Sequence, residues 1–419
     1  MALDLQQIEC VANELTAENR QVTRDTQHKL DISTKSRSNA FPWKGQFSPQ
    51  LIEFLLSEHS LTSARVFDPF CGSGTVLAES AARNFDSFGF DINPGAYIFA
   101  KLQRVAMLTY EQRRQAIHEA EYAVFGSYGD GPSHQWSGSV VDRVTMLRGV
   151  PVLIASAVLM IAHGNASCVD ISKLRRAFDV VYKAVFAMPY TTGRVQAFLR
   201  DSRNAGVVKE SVDLVITSPP YINVLNYHQN YRPILQQLGW EPLAAAAAEI
   251  GANRKFRQNR FKTVVQYSID MALILAETRR ILKPDGCLVM VVGKCSSVRR
   301  VSFPNGLMIS IIATLGVGFE LDSWRERRFL NRYGEIIVED VLTFRPAANW
   351  CSDSVISLGR LVGKWALQSA LHPSDESVLA EMRVAFSEAD LIQESPEVQV
   401  KVPIHYTSDQ CETQAQLCS

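Results

Sequence analysis

No two of the eight cysteines stand in a C-x-x-C pair, and Cys287 and Cys295 are too far apart for a zinc knuckle. A disulfide framework and a structural metal are therefore not expected, and a reducing compartment is. Net charge is absent too: 43 Lys and Arg offset 43 Asp and Glu. No whole-molecule field gathers nucleic acid, although a local basic face would suffice. The longest apolar run, VPVLIASAVLMIA at 150–162, has roughly 13 residues where a bilayer span needs about 20. It reads as a buried core helix. The N-terminal stretch MALDLQQIECVANELTAENR has no apolar h-region of a secretory signal. A cytoplasmic protein with no membrane partner is expected. No internal repeat is found.

What is present is core-forming material. Hydrophobic residues make up 47% and charged residues 21% of 419. That length suits roughly two to three domains, or one domain with insertions. Residues 1–40 read as an N-terminal helical arm. Residues 41–60, FPWKGQFSPQLIEFLLSEHS, run from an aromatic loop into an amphipathic helix. ARVFDPF then predicts a strand, CGSGT a turn, VLAESAARN a helix and SFGFDINP a second strand, a βαβ pattern that implies a parallel sheet. Residues 101–193 are mostly helical by periodicity and read as an insertion. The α/β pattern resumes at 194 with strands RVQAFLRD and DLVITS. A strong helix, YSIDMALILAETRRIL, ends at a KPDG turn. Strand CLVMVVG, helix NGLMISIIATLG and an antiparallel hairpin of FELDSWRERRFL with EIIVEDVLTFRP come next. One α/β domain thus spans 41–100 and 194–347. Residues 348–419 read as a C-terminal helical extension with a polar tail.

Chemistry gathers at the strand ends. Gly72 and Gly74 bracket Ser73 in a strand-to-helix turn after Asp68, where a backbone without Cβ bends tightly and can approach a ligand. Asp91 closes the next strand about 20 residues on, the position from which a carboxylate accepts from ribose hydroxyls. A third glycine is missing, since Leu77 stands there, and so is G-K-[ST]. A dinucleotide fingerprint and a P-loop are both poor fits. An ordinary βα turn is the plain alternative. Asp201 ends the third strand and could accept from an adenine amino group or merely cap the next segment. After the fourth strand comes Ser218-Pro219-Pro220-Tyr221. Proline cannot donate to a ladder and keeps its predecessor extended. The segment reads as a stiff arm of carbonyl acceptors, with Tyr221 as a flat face for an extruded base. An edge strand ended by its prolines is the plainer alternative.

Together DPFCGSGT, FDINP, RDSRN and TSPPY resemble the S-adenosylmethionine-dependent DNA amino-methyltransferases, which methylate cytosine N4 or adenine N6. FPWKGQFSPQLIEFLL resembles that family's remaining cofactor motif. The resemblance covers roughly 41–100 and 194–346 and leaves out the insertion and the tail. It implies a Rossmann-like class I methyltransferase fold, mostly parallel and seven-stranded with a C-terminal antiparallel hairpin. It also implies S-adenosylmethionine as cofactor. Asp68, Gly72 and Gly74 would line its methionine part, Phe70 the sulfonium, Asp91 the ribose, and Asp201 and Ser202 the adenine. Phe47, Pro69, Ser73, Thr75, Ile92 and Asn93 would complete that pocket. Ser218, Pro219, Pro220 and Tyr221 would hold the target base. Serine at the first of these positions is commoner in cytosine-N4 enzymes, so N4 transfer is the first expectation. Adenine N6, an RNA amino group, and a non-catalytic subunit that keeps the fold are the alternatives. Two departures stand out. Many members place the SPPY motif before the glycine turn, the reverse of the order here, and Arg200 stands where the family often has glycine.

Double-stranded DNA is the expected partner, with a restriction or defence component as a candidate second one. Phosphate contacts are expected from ANRKFRQNRFK (Arg254, Lys255, Arg257, Arg260, Lys262), from Arg299 and Arg300 after the fifth strand, and from WRERRFLNRY, Arg325 first. A solvated charged face is the alternative for each. His228 lies near the arm in sequence and could touch the base or be structural. The insertion could read the target or serve packing.

Overall fold

The computed structural model describes residues 3–18, 26–32, 34, 36–59, 61–126, 139–166, 169–222, 226–252, 256–331, 334–348, 354–370 and 375–407. The chain divides into two compact units.

One unit comprises Ser36–Asp201, Tyr227–Ala245 and Val398–Ser419. Three parallel strands form its sheet: β1 (Arg65–Asp68), β2 (Asp86–Asp91) and β3 (Val195–Leu199), with β2 in the middle. Aromatic side chains suit a pleated surface, and register sets Phe67 opposite Phe88 and Phe90 opposite Phe198. The first pair stacks at 4.6 Å and the second meets edge to face at 5.7 Å. The glycine turn leads from β1 into the helix Thr75–Ala81. After β2, Asn93 caps the helix Pro94–Leu102, accepting from the N–H groups of Gly95 and Ala96 at 2.8 and 3.4 Å. Pro94 begins that helix, where a missing N–H removes no intrahelical bond.

The described helices of the insertion are Tyr110–Phe125, Val140–Met146, Val150–His163 and Ile171–Ala187. Thr109 and Gln112 close a capping box on the first, and Asp170 caps the last. The apolar run at 150–162 is the buried helix it was expected to be. These helices share one apolar core with Phe41, Phe99, Leu235 and Trp240. Arg113, 5% exposed, is bonded through its guanidinium to the carbonyls of Leu108, Ala106, Val185, Met188 and Pro189. The last three mark the C-terminal end of Ile171–Ala187, where unpaired carbonyls favour a cation. Burial depresses the pKa of this guanidinium below its usual value. Among the described residues no helix is long and apolar enough to cross a membrane.

The other unit comprises Met1–Lys35, Ser202–Asn226 and Ala246–Glu397. Its strands are β4 (Val212–Thr217), β5 (Leu282–Gly293), β6 (Ser296–Val298), β7 (Val301–Phe303), β8 (Phe319–Leu330) and β9 (Ile336–Pro346). The main sheet runs β4-β5-β9-β8, parallel at the first pair and antiparallel at the others. The helix Lys262–Ile281 links β4 to β5, and Asn305–Gly316 precedes β8. Helix Val355–Ser369 packs on Lys262–Ile281. A buried polar clasp holds the segment after it. Arg203 pairs with Asp270 at 3.1 Å, and both bind Ser395, whose backbone N–H reaches Asp270 at 2.8 Å.

The fold is therefore the expected α/β, Rossmann-like and mostly parallel one, with the antiparallel hairpin β8–β9 at its C-terminal end. Among the described residues seven strands make up the main ladders, three in one unit and four in the other. Two local features depart from expectation. KPDG does not precede the fifth strand but bulges from it: Val212 pairs with Leu282, and the ladder resumes at Leu214 with Cys287. Pro284 has no N–H for that ladder, so the extra residues loop out. The hairpin β6–β7 has no turn signal in the sequence. Its two-residue loop is Arg299-Arg300, both at positive φ (48° and 70°), where Asn-Gly is the usual signature.

Candidate functional site

The glycine turn is built by one carboxylate and two glycines. Gly72 and Gly74 have φ of +51° and +84°, a region that L side chains adopt at a cost. Asp91, half-buried at the end of β2, accepts from Gly72 N–H at 3.1 Å and from Asn93 N–H at 2.8 Å. Asp68 is buried and accepts from Phe70 N–H at 3.0 Å, so it shapes the turn from within. Pro69 is buried; Phe70 and Ile92 are half-buried. Cys71 sits at the turn's core. Burial first, then Asp91 and Asp68, push its thiol well above the usual range, which favours the protonated form.

The aromatic loop before the helix Pro49–Glu58 closes on this turn. A Cβ at Gly72 would lie 3.1 Å from the Trp43 indole. Trp43 stacks with Tyr227 and with Tyr231, with centroids at 6.4 and 6.3 Å. Ser73 donates to Gln46 at 2.5 Å, and its carbonyl accepts from Gln103 at 2.9 Å. Phe47 is half-buried, and its carbonyl, like the Thr75 hydroxyl, accepts from Asn39. Trp43, Gln46 and Gln103 escape sequence reasoning, because their contacts join segments far apart along the chain. A cavity of about 500 Å³ opens along the helix after the turn, lined by Ser73, Thr75, Glu79 and Gln103 among others.

Asp201 comes after β3 and is half-buried. Arg200 lies over the Phe90 ring at 6.0 Å, so the family departure there is absorbed by an aromatic face. Ser202 is buried and begins a single 3-10 turn of the other unit. Asn93 spends its side-chain oxygen on the helix cap, and its amide nitrogen is buried without a partner among the described residues. A half-buried carboxylate beside a left-handed glycine turn fits a nucleoside ribose. An orphan amide donor beside that carboxylate fits an acceptor-bearing ligand.

The proline arm belongs to the other unit. β4 ends at Thr217; Ser218 and Pro220 are half-buried and Pro219 is buried. Tyr221 is half-buried, its hydroxyl donating to Glu339 at 3.0 Å and lying 3.5 Å from the Ser218 hydroxyl. Of the basic residues, Arg254 and Lys255 lie outside the described residues. Arg257, Arg260 and Arg300 are exposed, and Arg325 is half-buried. Lys262 pairs with Glu388 and Arg299 with Glu381. His228 is buried in the unit that carries the glycine turn, within the 3-10 turn Tyr227–Gln229.

Turn, acid and strand order give a Rossmann-like α/β fold, and the DNA methylase likeness of residues 11–101 implies S-adenosylmethionine as cofactor. Residues 11–101 match the family model described as DNA methylase. Type II methyltransferase M.MjaII of Methanocaldococcus jannaschii is 37% identical over 70 residues, 17% of this chain and 13% of that protein. The aligned stretch is thus a small part of the curated relative's length. The resemblance to DNA amino-methyltransferases holds over residues 11–101, which contain FPWKGQFSP, DPFCGSGT and FDINP. Solved structures overlap weakly. A SAM-dependent methyltransferase from Methanosarcina mazei shares 12% identity, 70% of this chain and 98% of its own, at a TM-score of 0.34. A TehB-like SAM-dependent methyltransferase from Corynebacterium glutamicum shares 12%, 70% and 86%, at 0.28. Overlaps of that size say nothing of activity.

Proposed function

We propose that the protein is an S-adenosylmethionine-dependent DNA amino-methyltransferase that acts on an extruded base, with cytosine N4 as the acceptor. The observation that carries this reading is the Ser218–Tyr221 arm at the end of β4, in a chain whose 11–101 stretch matches DNA methylases. When bound, the cofactor supplies an electrophilic methyl group on a sulfonium. Asp91 holds the ribose, and the turn at 68–75 holds the amino-acid end. Main-chain carbonyls of Ser218 and Pro219 accept from the two N–H groups of the target amine. That draws its nitrogen toward a tetrahedral shape and frees the lone pair, an electrostatic assistance fixed in advance. Tyr221 supplies the stacking face. The amine loses its proton only after the new C–N bond forms, so no strong base is needed. Ser218 at the first position supports N4 of cytosine over N6 of adenine.

Incubation with methyl-labelled S-adenosylmethionine and DNA or RNA, followed by digestion to nucleosides, tests this. Label in N4-methyldeoxycytidine is the expected result. Label in N6-methyldeoxyadenosine would move the acceptor, label only in RNA would replace the substrate, and no label with DNA still bound would leave a binding subunit.

A further inference from the structure

Tyr221 is held at three points, all within one unit. Its carbonyl abuts Gly251, where a Cβ would lie 2.7 Å from the oxygen. Its ring edge lies over Gly293, where a Cβ would come within 2.9 Å of Cε2. Its hydroxyl donates to Glu339 Oε1 at 3.0 Å. The other Glu339 oxygen accepts from Arg327 at 3.1 Å. Register explains the convergence. Gly293 of β5 pairs with Glu339 of β9, and Glu339 pairs with Arg327 of β8. A bare position, an acid and a base therefore form one row across three neighbouring strands, and the tyrosine lies along it.

The row is built for rigidity. Arg327 is 5% exposed and lies over the Phe329 ring at 4.5 Å. A buried guanidinium needs its carboxylate, so Glu339 is fixed before it meets the phenol. A side chain held in this way loses little further freedom when a ligand arrives.

We infer that Glu339, braced by Arg327 and facing the bare Gly293, is a positioning residue that sets the plane of the Tyr221 ring for the incoming base. The inference rests on the base-holding role proposed for the arm. Tyr221→Phe is the sharpest variant, because it removes only the hydroxyl and leaves the Glu339–Arg327 pair and the stacking ring. Misplacement of a reacting group by about 1 Å can cost about 100-fold. A fall in kcat of roughly 10- to 100-fold is expected, with KM for S-adenosylmethionine unchanged and the unfolding midpoint lowered by no more than one lost hydrogen bond requires. Glu339→Gln keeps an acceptor but removes the charge that Arg327 pairs with, so it should lower both the unfolding midpoint and kcat, and its kcat loss should add little on top of that of Tyr221→Phe. Wild-type kcat in Tyr221→Phe, or fully additive losses in the double variant, would overturn the inference. Should the wild-type protein transfer no methyl group to DNA or RNA, the functional reading fails and the row is judged separately. A single fluorine on the ring of residue 221 should then change its 19F shift or line width on Glu339→Gln; an unchanged signal overturns the row as well.

Discussion

Gly72 and Asp91, 19 positions apart in sequence, are joined by one hydrogen bond of 3.1 Å from the glycine N–H to the carboxylate. The same carboxylate holds Asn93 N–H at 2.8 Å. One side chain therefore fixes both the turn after β1 and the start of the helix after β2. Hydrogen bonds to an ionised group contribute about 1.5–3 kcal/mol each. Asp91→Ala is expected to weaken S-adenosylmethionine binding at least about tenfold, about 1.4 kcal/mol, and to lower stability at the same time. Titration calorimetry beside urea unfolding would show both losses. Unchanged affinity would remove Asp91 from the ribose.

Gly74→Ala tests the turn itself. At φ +84° a Cβ would sit 2.8 Å from Gln103 Cγ and 3.0 Å from Ala100 Cα. Left-handed strain and overpacking together should cost roughly 2–4 kcal/mol, read as a drop in the urea midpoint.

Asp270 is fully buried against Arg203 and Ser395. Asp270→Ala leaves an uncompensated guanidinium inside the unit. A loss of about 3–5 kcal/mol is expected, with faster amide exchange at Ser395 and Glu397 than elsewhere.

His163 and His405 both have pKa values below the ordinary 6.5, chiefly through burial, with Arg148 adding to the effect at His405. A depressed folded-state value contributes stability above the unfolded pKa and loses it as pH falls through the folded one. Stability should therefore decline on acidification below about 6.5. His405→Gln should flatten that decline in denaturant unfolding measured from neutral to acidic pH; an identical pH profile would refute the assignment.

The β6–β7 loop places two arginines where glycine-like φ values are required. Arg299→Asn with Arg300→Gly should relieve strain and stabilise the hairpin by about 1 kcal/mol, net of an exposed pair worth little. If Arg300 meets phosphate, the same change should lower DNA affinity and reduce the salt slope by about one. Fluorescence anisotropy across a salt series reads both quantities.

The strands and the glycine turn are legible in the sequence because their signals are local. Phe-rich alternation, G-x-G and a closing acid lie within 27 residues of one another, from Arg65 to Asp91. The proline arm is legible for the same reason. Contacts made at long range are not. Trp43 on Gly72 and Glu339 on Tyr221 join residues whose intervening chain carries no trace of the meeting. The β6–β7 hairpin is hidden by its own composition, since Arg-Arg bears none of the marks of a tight turn. KPDG does carry those marks, yet it bends within a strand.

The shared core of the 101–193 helices with Phe99, Leu235 and Trp240 makes this segment a poor cassette. Excising it to ask whether it reads a target would unroof the very sheet that carries Asp91, and grafting it elsewhere would leave its greasy side bare. Surface exchanges at solvent-facing positions such as Glu111, Arg114 or Lys183 would put the same question to an intact molecule.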